Sequence, residues 1–453
     1  MSLRESEAPW KFHRLVLAVL FCLSCGGDHK PAVRIVLITL DTLRYDSFNG
    51  GEDHPSSMMV TRAIAKNGAN FTHSYSATST TQPTHATMFT GLHPWQHGVT
   101  RNGMVLPDSA STLAERLQEA GFETSAVVAS FPLGKKFGFQ QGFGQYDDEF
   151  TTPHKARWEG VEVPGTNFYS LSNVISAKAL GQLNHIRGPK QFFWFHYFDP
   201  HEPYGDTRTL HDNSKNISPI RLFYLIDHVK RNPTKANARI ARAHRYYARD
   251  VRFLDRSLEP LFERLLNDAK EIETHIIVTA DHGESFGESG ALGHSNRLTE
   301  EQIHVPLFIL SPRVSPATRH EPTGSIDIHA TILALAGITS AASGGRDLTQ
   351  EIHGNRMVVG MRQTFANSTQ ETHASNEDPV LKGYQFYAAT DTRVYKGNHS
   401  EISANDSDPI EDDVAAHVEQ LFHTFELQLE GSNAEELVDS ETQEILEALG
   451  YAR

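Results

Sequence analysis

Cysteine is almost missing from this chain of 453 residues, which contains two, Cys22 and Cys25. Both lie within the first 25 positions, so the rest of the chain has no thiol that could form a disulfide or bind zinc. A disulfide framework and a structural cysteine-zinc site are therefore excluded for the folded part. The chain has to rely on a buried core, and 39% hydrophobic with 9% aromatic residues is enough to form one.

Basic residues are also scarce. The chain has 41 Lys plus Arg against 56 Asp plus Glu, a formal net charge of −15, and no basic stripe is evident along it. This balance argues against nucleic acid as a partner. It does not exclude an anionic substrate, because a bound cation can reverse the local potential.

No apolar run is long enough to span a bilayer. The longest one near the start covers residues 15–23, follows Lys11 and Arg14, and ends in Ser24-Cys25-Gly26-Gly27. Small residues around a cysteine at this position are typical of a bacterial lipoprotein signal, with Cys25 as the lipidated residue. We therefore expect residues 1–25 to be a signal segment and the protein to be exported to the periplasm or cell envelope, with a lipid anchor at Cys25. An ordinary secretory signal or an uncleaved anchor is the alternative.

Residues 33–345 alternate strand-length apolar runs with amphipathic, helix-like stretches, among them a long helix predicted at 245–266. This order predicts an α/β fold with a mixed, largely parallel sheet flanked by helices. After a Ser- and Gly-rich linker, residues 346–453 are expected to form a C-terminal subdomain with a small antiparallel sheet and terminal helices at 414–429 and 441–449.

Three of the predicted strands end in Asp or His. The run 34–40 leads into Asp41, the run 275–280 into Asp281-His282, and the run 191–198 into Asp199-Pro200-His201. Ligands of open α/β sheets bind at the carboxyl ends of the strands. These side chains therefore predict a site at that edge.

A threonine-rich segment supplies a candidate nucleophile. Pro83 suits the first turn of a helix, which would place Thr81 just before it, near the positive end of the helix dipole. A hydroxyl there is well placed to attack an anionic centre. His85 follows four residues later, on the same helical face.

Asp41, Asp281, His282 and Thr81 together offer two carboxylates, an imidazole and a hydroxyl. Such ligands suit a divalent ion such as Mn, Zn or Ca, and the imidazole favours a transition metal. The ion would lower the pKa of the hydroxyl and neutralise the oxygens of an ester.

Six motifs in order resemble the sulfatase family of the alkaline phosphatase superfamily. They are Leu40–Asp46, Thr81–His85 with Thr90-Gly91 and His97-Gly98, Phe198–Tyr204, Thr279–Glu284 with Gly293-His294 and Val305–Leu307, Ser325–Ile328, and Leu449–Tyr451. The resemblance implies an alkaline phosphatase/sulfatase-like fold. It also implies a hydrolase acting on a sulfated or phosphorylated ester, with the metal at Asp41, Asp281 and His282.

The resemblance fails where sulfatases carry a Cys or Ser that is oxidised to formylglycine, followed by an Arg. Here Thr81 and His85 stand at those two positions. Oxidation of a threonine would give a poorly hydrated ketone, so no formylglycine is expected and Thr81 must act directly. A direct threonine ester has to be cleaved by an activated water, which favours a phosphate ester over a sulfate ester.

His294 stands where the family usually has a lysine. Asp199, His201 and His294 are therefore candidates for a second metal ion. Alternatively, His201 protonates the leaving oxygen and His294 replaces the lysine charge. His196 is expected to be an ordinary buried histidine.

Three functions remain open on this basis. The first is a metal-dependent hydrolase of a sulfate or phosphate ester. The second is a phosphodiesterase, a phosphonate hydrolase or a transferase of a phosphorylated head group. The third is a catalytically lapsed relative that binds an anionic glycan or lipid.

Overall fold

A computed structural model describes residues 32–50, 56–153, 157–158, 161–162, 167–205, 219–339, 344–351, 356–365, 381–398, 401–404 and 409–430. The expected signal segment with Cys25 and the expected last helix, 441–449, lie outside these ranges. No helix of the described chain has the length and apolar character needed to cross a membrane.

An eight-stranded sheet forms the centre of the fold, in the order β15-β2-β14-β11-β1-β10-β4-β5. β14 runs opposite to the other seven strands. The prediction of a mixed, largely parallel sheet is therefore confirmed. Its strands are β1 Val33–Leu40, β2 Ala69–Phe71, β4 Glu123–Val127, β5 Gln145–Asp147, β10 Lys190–Tyr197, β11 Glu273–Ala280, β14 Leu307–Leu310 and β15 Ala317–Arg319.

Short two-stranded ladders surround this sheet. They are formed by β3 Ser74–Tyr75 with β16 Thr323–Gly324, β6 Thr152–Pro153 with β9 Asn167–Tyr169, β7 Arg157–Trp158 with β8 Val161–Glu162, and β12 Ser285–Phe286 with β13 Leu292–Gly293.

The central strands are buried on both faces, as continuous apolar runs in a parallel sheet require. Seven of the eight residues of β1 are buried, and so are seven of β10 and seven of β11. Helices cover the sheet: α1 Tyr45–Asn49, α2 Met59–Ala65, α3 Thr81–Thr90, α4 Pro94–His97, α5 Leu113–Glu119, α6 Ser172–His185, α7 Leu222–Arg231, α8 Ala236–Asp268, α9 Glu300–Ile303 and α10 Ser325–Leu335.

The register of the central strands aligns the predicted site residues. Leu40, the last residue of β1, pairs with Tyr197 of β10 on one side and with Ala280 of β11 on the other. The residues that follow these three strands therefore leave the sheet at the same level.

Two helices differ from the sequence expectation. α3 begins at Thr81 itself, so Thr81 occupies the first helical position and Thr80, in extended conformation, precedes it. α8 is 33 residues long and continues through Pro260, whereas the apolar periodicity predicted only residues 245–266. Its first turns carry little apolar surface, which is why the pattern missed them.

The C-terminal part contains the expected antiparallel sheet, β17 Val358–Phe365, β18 Leu381–Ala389, β19 Val394–Asn398 and β20 Glu401–Ala404, and the helix α11 Asp412–Glu430. Its core includes Phe386, Phe422 and Phe425, and Trp95 of α4 stacks on Phe425 with ring centroids 4.0 Å apart. The domain boundary at residue 345 stays a prediction.

Candidate active site

Asp41, Asp281 and His282 meet at the carboxyl edge of the sheet, directly after β1 and β11. One ligand atom from each of the three lies within 4.8 Å of the other two, and all three residues are buried. The His282 Nε2 atom is 3.8 Å from Asp41 Oδ1 and 3.5 Å from Asp281 Oδ2. These are the three residues that the sequence predicted to share a metal ion, and the fold brings them together.

The hydrogen bonds around this group leave its inner atoms unpaired. The His282 Nδ1–H group donates to the Gly283 carbonyl at 3.1 Å, so the lone pair of Nε2 faces the carboxylates. Asp281 Oδ1 accepts from the amide of Thr42, whereas Asp41 Oδ1 and Asp281 Oδ2 are buried without a partner. Unpaired acceptors facing one another are costly unless a cation lies between them.

The pKa values of the two carboxyl groups are raised because both groups are buried in this unsatisfied arrangement. Burial, followed by the negative charges of Asp281 and Glu284, raises the pKa of Asp41 well above its usual value. Burial also raises the pKa of Asp281 to about 6 and lowers that of His282 to about 3. A neutral imidazole beside two carboxylates is a donor set that fits a divalent ion.

Thr81 stands at the entrance to α3 beside this group. Its side chain is 1% exposed, and its Oγ1 atom is 3.3 Å from His282 Nε2. At the first helical position it lies near the positive end of the helix dipole, which favours negative charge, while the next amide, that of Gln82, donates to Asn102 Oδ1 at 2.9 Å. The hydroxyl therefore lies between the candidate metal ligands and an anion-attracting helix end.

His85 is held by its neighbours rather than presented to a substrate. Its Nδ1–H group donates to the Thr81 carbonyl at 2.9 Å, and its Nε2 atom accepts from the Thr39 hydroxyl at 3.1 Å. The same hydroxyl accepts from Trp194 Nε1 at 2.9 Å. Burial lowers the pKa of His85, so it does not reproduce the charge of the arginine found at this position in sulfatases.

His196 is a site residue that the sequence interpretation treated as ordinary. Its Nε2 atom is buried without a hydrogen bond, 3.6 Å from Asp41 Oδ2. His85, His196 and Asp281 form a second group with ligand atoms within 4.8 Å of one another. A signal was present, because His196 is the single imidazole in the aromatic run 192–198.

Glu284 is another residue that the sequence interpretation quoted in a motif but did not select. Its carboxylate is fully buried and accepts from His294 Nδ1 at 3.0 Å. Burial raises the pKa of Glu284 to about 7, against the opposing effects of His201 and His282. Gly283, which precedes it, allows a close approach of the backbone at Glu301, since a Cβ atom there would collide with the Glu301 carbonyl.

His201 and His294 lie beside His282. The ring centroids are 4.8 Å apart for His201 and His294 and 4.6 Å apart for His282 and His294. His201 Nδ1–H donates to the Glu202 carbonyl at 2.7 Å. Burial lowers the pKa of both His201 and His294 to about 3, so both are neutral ligands or bases here.

One carboxylate oxygen of Asp199 binds the start of α6. Its Oδ2 atom accepts from the amide and from the hydroxyl of Ser172, each at 2.6 Å, at the start of α6. Within the described ranges, the groups of three or more close-set ligand atoms do not include Asp199, His201 and His294 together. The second ion at these residues stays a prediction.

The guanidinium of Arg44 connects its own loop with the loop after β11. Its guanidinium pairs with Asp46 at 2.6 Å and with Glu288, and it donates to the Glu284 carbonyl at 3.1 Å.

Comparison with known proteins gives a consistent result. A family model described as Sulfatase matches residues 34–338. Choline-sulfatase of Rhizobium meliloti (strain 1021) is 23% identical over 359 residues, which is 68% of either chain. Human arylsulfatase G is 28% identical over 174 residues, which span 35% of this chain and 33% of that protein.

Solved structures share the fold at low sequence identity. A phosphonate monoester hydrolase from Silicibacter pomeroyi superposes with a TM-score of 0.65 at 18% identity, covering 89% of this chain and 96% of that one. A protein solved in complex with its substrate D-glucosamine-2-N,6-O-disulfate superposes with a TM-score of 0.64 at 16% identity, covering 90% and 100%.

Proposed function

The chain belongs to the sulfatase family and is a sulfatase-like ester hydrolase, and from this premise we propose that Thr81 is its direct nucleophile. In this proposal, Asp41, Asp281 and His282 hold one divalent ion beside the threonine hydroxyl. The observation that carries the proposal is the position of Thr81 Oγ1, 3.3 Å from His282 Nε2 at the start of α3.

The ion fits because its ligands are otherwise unsatisfied. Asp41 Oδ1 and Asp281 Oδ2 have no hydrogen-bond partner, although both atoms are buried. When bound, a divalent ion supplies charge neutralisation and a lowered pKa for a nearby hydroxyl. The imidazole in the set favours a transition metal such as Mn or Zn over Ca.

The residues of the chain then perform two displacements. In the first, a bond forms between Thr81 Oγ1 and the phosphorus or sulfur atom, the bond to the leaving oxygen breaks, and the hydroxyl proton of Thr81 passes to that oxygen, with the neutral His201 as the relay. In the second, water attacks the threonine ester and restores the hydroxyl. The positive end of the α3 dipole favours the anionic group in both steps.

The buried His85 supports a mechanism without formylglycine. Both of its ring nitrogens are engaged, with the Thr81 carbonyl and the Thr39 hydroxyl, and the ring is neutral. His85 orients the first turn of α3 in this scheme, while charge stabilisation falls to the ion and the helix.

A phosphate ester is the favoured substrate within the family's range. A formylglycine hydrate can expel sulfate by an internal elimination, but a threonine ester has no such route and depends on attack by water. The same observation supports a phosphodiester or phosphonate ester as the second candidate.

Export and anchoring through Cys25 belong to the same proposal. The short apolar run 15–23, followed by Ser24-Cys25-Gly26, supports a lipoprotein signal. Mass spectrometry of the mature amino terminus tests it: a diacylglyceryl group on Cys25 is expected, and an uncleaved terminus or cleavage elsewhere would contradict it.

A panel of chromogenic esters tests the activity. The full chain is assayed with 4-nitrophenyl sulfate, 4-nitrophenyl phosphate, a bis(4-nitrophenyl) phosphate diester and a 4-nitrophenyl phosphonate, with Mn, Zn or Ca and with a chelator. Turnover should need an ion, favour phosphorus over sulfur, and fall at least about 1,000-fold in Thr81→Ala. Thr81→Ser, which keeps a hydroxyl, is the matched control. No turnover of any ester with any ion would overturn the proposal.

A further inference from the structure

The outer face of α8 carries a stripe of four arginines on a chain whose net charge is −15. Arg245, Arg249, Arg252 and Arg256 are all exposed and are spaced four, three and four residues apart. That spacing places them on one side of the helix, over about 16 Å of its axis. The opposite side, which includes Tyr247, Val251 and Leu254, is buried against the sheet.

Within the ranges that the structure describes, no ion pair joins any of the four arginines of this stripe to a carboxylate. Partial burial and the like charges of Arg249 and Arg256 lower the pKa of Arg252, against an opposing effect of Asp250. The next exposed charges on the same face, Glu259 and Glu263, have the opposite sign and end the stripe. An uncompensated row of like charges costs the free protein stability, and an anionic partner would remove that cost.

An exposed apolar side chain lies beside the stripe. Met59 is 75% exposed, the highest value among the large hydrophobic residues that the structure describes. It begins α2, where the amides of Val60 and Thr61 are bound at 2.9 and 2.8 Å by the carboxylate of Asp255. Because Asp255 directly precedes Arg256, these two hydrogen bonds hold the start of α2, with Met59, along the part of α8 that carries Arg256.

From this combination we infer that the α8 stripe and Met59 dock the protein on the surface of an anionic lipid bilayer. Arginines attract acidic headgroups, and an adjacent apolar side chain enters the boundary between headgroups and acyl chains. A sulfated polysaccharide would satisfy the arginines but would leave Met59 in water. The inference does not depend on which ester the active site cleaves.

The stripe escaped the sequence analysis because its members are dispersed among apolar residues. The buried face of α8 shows that the four arginines share the opposite, exposed side.

Vesicle partitioning of the full chain tests the inference. Binding to phosphatidylglycerol/phosphatidylcholine vesicles is divided by binding to pure phosphatidylcholine vesicles, at low and at high salt. The apolar segment 15–23 contributes alike to both vesicles, so its effect cancels in this ratio. Each arginine near an anionic surface strengthens binding roughly fivefold, so Arg249→Gln with Arg252→Gln should lower the ratio about 25-fold at low salt. High salt should reduce the wild-type ratio towards one.

The control is Arg187→Gln with Lys270→Gln, which removes the same charge from exposed positions off the stripe. Its ratio should change less than twofold, and turnover of a small chromogenic ester should be unchanged in both variants. Equal losses in the two variants, or a wild-type ratio of one, would overturn the inference. Tight binding to dextran sulfate without preference for anionic vesicles would also overturn it, in favour of a polysaccharide.

Discussion

The hydroxyl of Thr39 connects the sheet to the nucleophile helix, and its removal should be costly. Thr39 is fully buried near the end of β1. It accepts from Trp194 Nε1 at 2.9 Å and donates to His85 Nε2 at 3.1 Å. Thr39→Val keeps the β-branched shape and removes only this oxygen, so both partners lose a hydrogen bond that no water can replace.

The expected loss follows from these two orphaned groups. A buried donor or acceptor left without a partner costs about 1–3 kcal/mol, so the variant should lose about 2–6 kcal/mol of unfolding free energy. Relaxation of the rings places our expectation near 3 kcal/mol. Urea unfolding followed by circular dichroism measures it as a lower midpoint at an unchanged slope.

Thr61→Val is the matched control, because the chain offers a second fully buried threonine with the opposite property. The Thr61 hydroxyl has no hydrogen-bond partner, and its amide, which binds Asp255, is kept in the variant. Replacing an unsatisfied buried hydroxyl with a methyl group should leave stability within about 1 kcal/mol or raise it. Equal losses at the two positions would refute the hydrogen-bond argument.

Three further predictions concern the surroundings of the site. Burial raises the pKa of Glu202 from 4.5 to about 7, so the folded state binds this proton more tightly than the unfolded state. The contribution of this group to the unfolding free energy is therefore complete below pH 4.5 and is lost as the pH rises to 7. When the unfolding free energy is measured in urea at pH 4.5 and at pH 7, the difference between the two should be about 3 kcal/mol smaller in Glu202→Gln than in the wild type. An equal difference in the two proteins would contradict the assignment. Glu284→Gln should lower kcat about 10–100-fold through His294 while leaving the melting temperature nearly unchanged; normal kcat would exclude a positioning role. A divalent ion at 100 times its Kd should raise the unfolding free energy of the wild type by about 2.7 kcal/mol in calorimetry. An equal increase in Asp281→Asn would mean that the ion binds elsewhere.

The central sheet and the metal-type residues could be predicted because both depend on local patterns. Apolar runs of strand length mark β1 and β11, and the acidic residue that ends each run is adjacent in sequence. Parallel pairing then brings Asp41 and Asp281 to the same edge. No long-range information is needed for that step beyond the rule that such strands end together.

The rest of the site depends on contacts that sequence spacing does not contain. Asp199 is predicted as a ligand because it is two residues from His201, and its hydrogen bonds to Ser172, 27 positions earlier, are not visible in the sequence. His196 reads as one more member of an aromatic strand until its register puts it opposite Thr39, next to Asp41. Glu284 likewise becomes recognisable only through its hydrogen bond with His294, which forms in the folded chain.

The most direct test of the account is to trap the intermediate on Thr81. The full chain is mixed with a 4-nitrophenyl phosphate or phosphonate ester, quenched in acid within a turnover, digested and examined by mass spectrometry. We predict a phosphoryl or phosphonyl group on Thr81 in the wild-type chain, the same group on the serine of Thr81→Ser, and none in Thr81→Ala. An oxidised residue at position 81, or a Thr81→Ala variant that turns over the ester at the wild-type rate, would contradict it.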